Sequence, residues 1–156
     1  FYEKALGLCE EKRKEAADGS FTLAFLGEIE PERVGLAVEA MREAHGRAFT
    51  LRIDSAGRFR RDGGDIWWAG SDDNLALAAY QRRLIRELRA RGFVIESRRF
   101  APHVTLARRI VDELPPGTKL LETPVLEHVT AASLMRSELG RGAPKYTELA
   151  RVDFAP

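Results

Sequence analysis

Cysteine, methionine and histidine are scarce in this chain, with one Cys, two Met and three His among 156 residues. The lone Cys9 cannot close an internal disulfide, so a scaffold stapled by its own cross-links is excluded and a reducing cytoplasm is the expected compartment. No Cys/His cluster has the spacing of a zinc site, and no glycine-rich strand–helix turn offers a cradle for nucleotide phosphates. No uninterrupted apolar run approaches membrane-spanning length and no secretory leader is visible, so no membrane, metal or other cofactor is expected. Charge of one sign is missing too: 25 Lys and Arg against 24 Asp and Glu leave a net +1, which by itself points to no partner. Against these absences, 44% apolar and 31% charged residues suit a single domain over residues 1–156 with a sizeable core.

Periodicity orders the chain. Residues 2–17 read as a polar helix. Thr22–Leu26 reads as a buried strand stopped by Gly27, and Pro31 opens a helix through about His45, with Val34, Ala37, Val38 and Met41 at helical spacing. Phe49–Ile53 alternates as a strand. Arg58–Arg61 and Asp65–Ala69 flank Asp62-Gly63-Gly64, a hairpin signal because glycine tolerates positive φ. Asn74 caps a helix that Gly92 ends, with Leu77, Tyr80, Leu84 and Leu88 on one face. His103–Ile110 is a strand, and residues 111–123 form a loop around Pro115-Pro116-Gly117. Val125–Leu139 and Lys145–Phe154 read as a closing hairpin around Gly140–Pro144. Helices set between hairpins, without strict strand–helix alternation, predict an α+β fold with antiparallel sheets.

Chemistry concentrates in Ala101-Pro102-His103-Val104-Thr105-Leu106-Ala107-Arg108-Arg109. Alternation along a strand turns His103 and Thr105 to one face and Val104 and Leu106 to a core. An imidazole, which can take or give a proton, beside a hydroxyl that donates to an anionic oxygen suits phosphate-ester chemistry. Arginines gather in the same segments: Arg58, Arg60 and Arg61, then Arg98, Arg99, Arg108 and Arg109. Their planar forks match phosphate oxygens, although a solvated face is the usual meaning of such runs. Strict alternation aims Arg109, not Arg108, at the His103 face, unless a bulge intervenes. His45 and His128 read as structural. Of Trp67 and Trp68, one belongs to the core.

Thr22-Leu23-Ala24-Phe25-Leu26-Gly27 echoes Thr105-Leu106-Ala107-Arg108 half a chain earlier. Together these segments resemble the paired His-x-Thr-x motifs of the two-histidine (2H) phosphoesterases, in particular the LigT-like RNA 2′,3′-cyclic phosphodiesterases (the 2′-5′ RNA ligase family). The similarity runs on through Gly57-Arg58-Phe59, the residue 63–70 run, Ser133–Leu139 and Tyr146-Thr147. The resemblance implies two pseudo-symmetric lobes of antiparallel sheet with outer helices around a central cleft. It also implies hydrolysis of RNA 2′,3′-cyclic phosphate ends to a 2′-phosphate without a metal, with 2′-5′ ligation as the reverse. His103 would be the base, and Thr22 and Thr105 the phosphate ligands. The pattern favours Arg108 over Arg109 as a further phosphate ligand, and Phe25 and Tyr146 as substrate-binding residues. The expected partner is RNA with a cyclic phosphate end, or a small cyclic nucleotide, bound by a monomer.

One position departs. Two residues before Thr22, where the family carries its first histidine, the chain reads Ser20, after the loop formers Asp18 and Gly19. Either the protein is a catalytically impaired RNA-end or nucleotide binder, or the sequence omits residues near positions 21 and 22, together with a first strand. Omission is the expectation.

Overall fold

Leu77, Tyr80, Leu84 and Leu88 recur every three or four residues, and all four are buried. Tyr80, Leu84 and Leu88 of that stripe belong to the hydrophobic core of the computed structural model, which describes residues 21–71, 74–111, 123–138 and 145–156. The helix expected over residues 2–17, most of the loop at 111–123 and the Gly140–Pro144 turn lie outside the described residues.

A 3₁₀ turn, Pro31–Arg33, leads into helix α1, Val34–Glu43. Proline is at home in that first turn because its missing N–H has no helical partner to lose. Ala37, Ala40 and Met41, with Ala44 at the helix cap, turn inward onto α2, Leu75–Ala90. Asn74 caps α2, its side-chain oxygen accepting from Leu77 N at 2.8 Å while its amide donates to Thr50 O at 3.1 Å. The other end closes on Gly92, whose φ of +77° lets Gly92 N reach Arg89 O and Phe93 N reach Leu88 O. These two bonds satisfy carbonyls that the helix leaves open. Arg33 then covers Phe93, its guanidinium 4.3 Å from the ring centroid, and donates to Arg91 O.

Among the described residues, seven strands follow the antiparallel pattern. Strand β1 (Phe49–Ile53) pairs with β5 (Val125–Val129), and β6 (Ala131–Glu138) pairs with β7 (Lys145–Asp153). A separate three-stranded sheet has the order β2 (Ser55–Phe59), β3 (Asp65–Gly70), β4 (His103–Ile110). The β6–β7 hairpin lays Ala132, Leu134 and Val152 on the two helices, completing a helical lobe, while Trp67, Ala69 and Ala107 bury one face of the three-stranded sheet.

Three expectations need correcting. Thr22–Leu26 is extended but no strand: among the described residues nothing pairs with it along a ladder, and Thr22 and Phe25 are exposed. A strand exists only with a neighbour to exchange hydrogen bonds. Here the backbone is tied to α2 by Gln81 Nε2 donating to Leu23 O, and Leu23, Ala24 and Leu26 are half-buried against the helical core. The run at 125–139 is two strands that part at Thr130, so only β6 joins the closing hairpin while β5 crosses to β1. Finally, β5 is an exposed strand, and His128 on it stands in solvent opposite Thr50, not in an apolar interior.

Candidate active site

Proline at 102 confines the residue before it to extended backbone, and Ala101 there turns its carbonyl to the His103 ring. His103 Nδ1 lies 2.8 Å from Ala101 O. A carbonyl only accepts, so Nδ1 carries the proton and the neutral ring keeps its lone pair on Nε2. The ring is half-buried between two aromatics. Its edge meets Phe59 at 5.3 Å between centroids and Trp68 at 6.5 Å, and those two rings stack on each other at 5.5 Å. Trp68 fits because Gly57 faces it across the ladder: a Cβ on Gly57 would come within 2.6 Å of the indole.

Strand β4 carries two extra residues against β3, and they decide which side chains share the His103 face. Gly70 stands opposite His103 and Trp68 opposite Thr105, so these two keep one face, as alternation requires. Trp67, one step along β3, then stands opposite Ala107, two steps along β4. The additional residue, Leu106, makes a β-bulge and reverses the parity of everything beyond it. Ala107 drops to the core face beneath Trp67, and Arg108 comes onto the face of Thr105. Its Nη2 lies 3.5 Å from Thr105 Oγ1, at the long edge of hydrogen-bonding distance. Val104 and Leu106, expected to fill the core, are only half-buried, and Ala107 is the buried residue of the strand.

A second bulge follows directly. Asp65 stands opposite Ile110, three residues on from Ala107, and Arg109 absorbs the extra step with φ +57°. The hairpin turn locks this bulge in place. Gly64 sits at φ +104°, and a Cβ there would lie 2.7 Å from the Arg109 carbonyl carbon.

The structure therefore brings together His103, Thr105 and Arg108. Thr22 and Phe25 stand exposed on the extended segment, Phe25 at 74%, and Tyr146 is exposed on β7 opposite Ser137. Ser20 lies outside the described residues. His45, at the C-terminal end of α1, lies beside Glu43 at 3.7 Å. Among the described residues no three His, Cys, Asp or Glu side chains converge as a metal-binding group, and no helix is long and apolar enough to cross a membrane. Sequence reasoning missed the contact of Phe59 with His103 and the Ala101 carbonyl. The proline was a usable signal for the second, because it fixes the backbone before the histidine.

A family model described as the 2′-5′ RNA ligase superfamily matches residues 21–141. The chain is 32% identical over 150 residues to the RNA 2′,3′-cyclic phosphodiesterase of Escherichia coli (strain K12), covering 91% of this chain and 80% of that protein. It is 34% identical over 101 residues to the RNA 2′,3′-cyclic phosphodiesterase of Geobacillus stearothermophilus. That match covers 63% of this chain but only 32% of the relative, so the chain spans about a third of its length. The crystal structure of E. coli LigT complexed with 3′-AMP superposes with a TM-score of 0.73 at 24% identity, over 99% of this chain and 92% of that one. This likeness supports the α+β, two-lobed fold.

Proposed function

The chain belongs to the 2′-5′ RNA ligase superfamily, and from that premise we propose that it hydrolyses 2′,3′-cyclic phosphate ends of RNA to 2′-phosphates without a metal. The observation that carries this reading is the convergence of His103, Thr105 and Arg108 on one face of β4. Hydrolysis joins a water oxygen to phosphorus and breaks the bond to the ribose 3′ oxygen. His103 Nε2, left unprotonated by the Ala101 carbonyl, takes the proton from the attacking water. Thr105 Oγ and the Arg108 guanidinium donate to the non-bridging oxygens as negative charge gathers there. Thr22 supplies a matching donor from the first Thr-Leu-Ala segment, and Phe25 and Tyr146 offer exposed rings to the nucleoside. The proton for the departing 3′ oxygen needs a first-motif histidine two residues before Thr22, where the chain reads Ser20. With the 5′ hydroxyl of a second RNA end attacking phosphorus in place of water and the 3′ oxygen leaving as before, the same groups join the ends through a 2′-5′ link. The similarity to two RNA 2′,3′-cyclic phosphodiesterases supports the substrate class.

The test is turnover of a 2′,3′-cyclic nucleotide in EDTA. His103→Ala loses about 10²–10⁴ in kcat, the usual worth of one general acid–base group. Unchanged turnover removes His103 from the mechanism.

Ser20 favours a second reading, a binder of RNA ends whose acid is absent. Sequencing the gene through the codons for residues 18–22 separates the two. A histidine codon two positions before Thr22 supports the enzyme, and an uninterrupted Ser-Phe-Thr supports the binder.

A further inference from the structure

The hairpin end of the three-stranded sheet holds a cavity of about 250 Å³ lined by Arg58, Arg60, Arg61, Asp62 and Asp65, with Ile110 on β4. It is not the His103 site. Gly70 marks the His103 rung of β3, and Asp65 marks the rung at the cavity. Five strand residues, an odd number, put Asp65 and Arg58 on the opposite face of the sheet from the imidazole, while Arg61 stands no more than about 11 Å from the ring.

Its charges are unequal. Arg58 Nη1 lies 3.5 Å from Asp65 and largely cancels it, leaving Arg60 and Arg61 against the single carboxylate of Asp62. Arg61 Nη1 donates to Arg60 O at 3.0 Å, which holds the two residues as one unit. The Arg61 guanidinium also lies 6.0 Å from the centre of the Phe59 ring, whose other neighbours are Trp68 and His103. Arg61 thus borders both the cavity and the Phe59–Trp68 pair beside the imidazole. Aromatic platforms that continue into a basic groove suit single-stranded nucleic acid: bases stack on the rings and the backbone follows the charge.

We propose that the Arg60–Arg61 cavity binds an internal phosphodiester of the RNA strand whose cyclic end lies at His103. This rests on the hydrolytic reading above and adds a preference for polynucleotide over mononucleotide. The span from Arg61 to the imidazole corresponds to about three stacked nucleotides at 3.4 Å each. The cavity is small and open, so it serves one phosphate and does not engulf a nucleoside.

The experiment compares 2′,3′-cyclic AMP with an oligoribonucleotide of about ten residues, a length single-stranded sites accommodate, ending in a 2′,3′-cyclic phosphate. In Arg60→Ala/Arg61→Ala the oligonucleotide KM rises about tenfold, and the slope of log affinity against log salt flattens by about 0.7. Turnover of the cyclic mononucleotide stays within about twofold and reports that the variant is folded. Arg60→Lys/Arg61→Lys recovers part of the loss, because an ammonium keeps the charge but not the fork. An unchanged oligonucleotide KM, or an equal loss on both substrates, overturns the proposal. Should wild type hydrolyse neither substrate, the hydrolytic reading falls while the cavity is still judged by fluorescence anisotropy. Weaker binding of a 3′-hydroxyl oligoribonucleotide by the alanine variant supports it, and equal binding overturns it.

Discussion

Arg108 reaches the Thr105 hydroxyl at 3.5 Å although the two are three residues apart on one strand, a spacing that ordinarily points side chains to opposite faces. The Leu106 bulge makes the meeting possible. Bulges bend a strand and re-aim the side chains beyond them, and this one gathers an imidazole, a hydroxyl and a guanidinium on a single face of the sheet.

Arg108 and Arg109 should therefore separate cleanly in kinetics. Arg108→Ala lowers kcat/KM for a 2′,3′-cyclic nucleotide about 10- to 100-fold, with most of the loss in kcat, because its donors act on charge that grows in the transition state. Arg109→Ala, at a bulge position turned from that face, changes it by less than about threefold. Steady-state kinetics on the two variants decide the matter, and equal losses remove the bulge argument.

Gly64 and Gly63 are adjacent but carry different demands. Gly64 sits at φ +104° with Arg109 backbone 2.7 Å from where its Cβ would be, whereas a Cβ on Gly63 meets open space. Gly64→Ala should cost about 1–3 kcal/mol and reduce turnover by disturbing the neighbouring bulge. Gly63→Ala stays within about 0.5 kcal/mol of wild type. Urea denaturation with parallel kinetics checks both.

Tyr80 ties alkaline stability to the helical core. Its ring is 2% exposed, its hydroxyl donates to Met41 O at 3.3 Å, and burial pushes its pKa up from 10.0 to about 12 against a smaller opposing pull from Arg83. The native state thus holds a proton that the unfolded chain releases first. The stabilisation is full below pH 10 and falls by about 1.4 kcal/mol per pH unit between there and about 12. Denaturation midpoints of wild type and Tyr80→Phe, compared from pH 9 to pH 12, should converge as the pH rises. A constant difference across that range contradicts the assignment.

Asn74 joins the helical lobe to β1. Asn74→Ala loses the cap on Leu77 N and the bond to Thr50 O, at a cost of about 1–2 kcal/mol. Asn74→Asp keeps the first and loses the second, so thermal melts should rank wild type above Asp and Asp above Ala.

Where the physical signal is short-range, the sequence was legible. Asn74 at a cap, Gly92 past the end of a helix and Gly63-Gly64 in a turn act through their own dihedral angles and through atoms a few residues away. All three appear where local rules put them. Tyr80, Leu84 and Leu88 likewise declare their buried face by spacing alone. Thr22–Leu26 reads as a strand by composition, yet without a ladder partner among the described residues it remains an extended segment held by its side chains. The exposure of β5 was hidden for a similar reason, since apolar residues mark what could be covered and not what is.

By itself the sequence determined the chemical kit: His103 and Thr105 two apart, arginines close behind, and a proline that fixes the backbone ahead of them. Tertiary structure alone decided that Arg108 and not Arg109 joins them, that Phe59 and Trp68 flank the imidazole, and that the hairpin turn pins the Arg109 bulge. Composition and spacing act along the chain, whereas register is set by hydrogen bonds to a neighbouring strand. One extra residue in that register is enough to turn a side chain from one face of a sheet to the other.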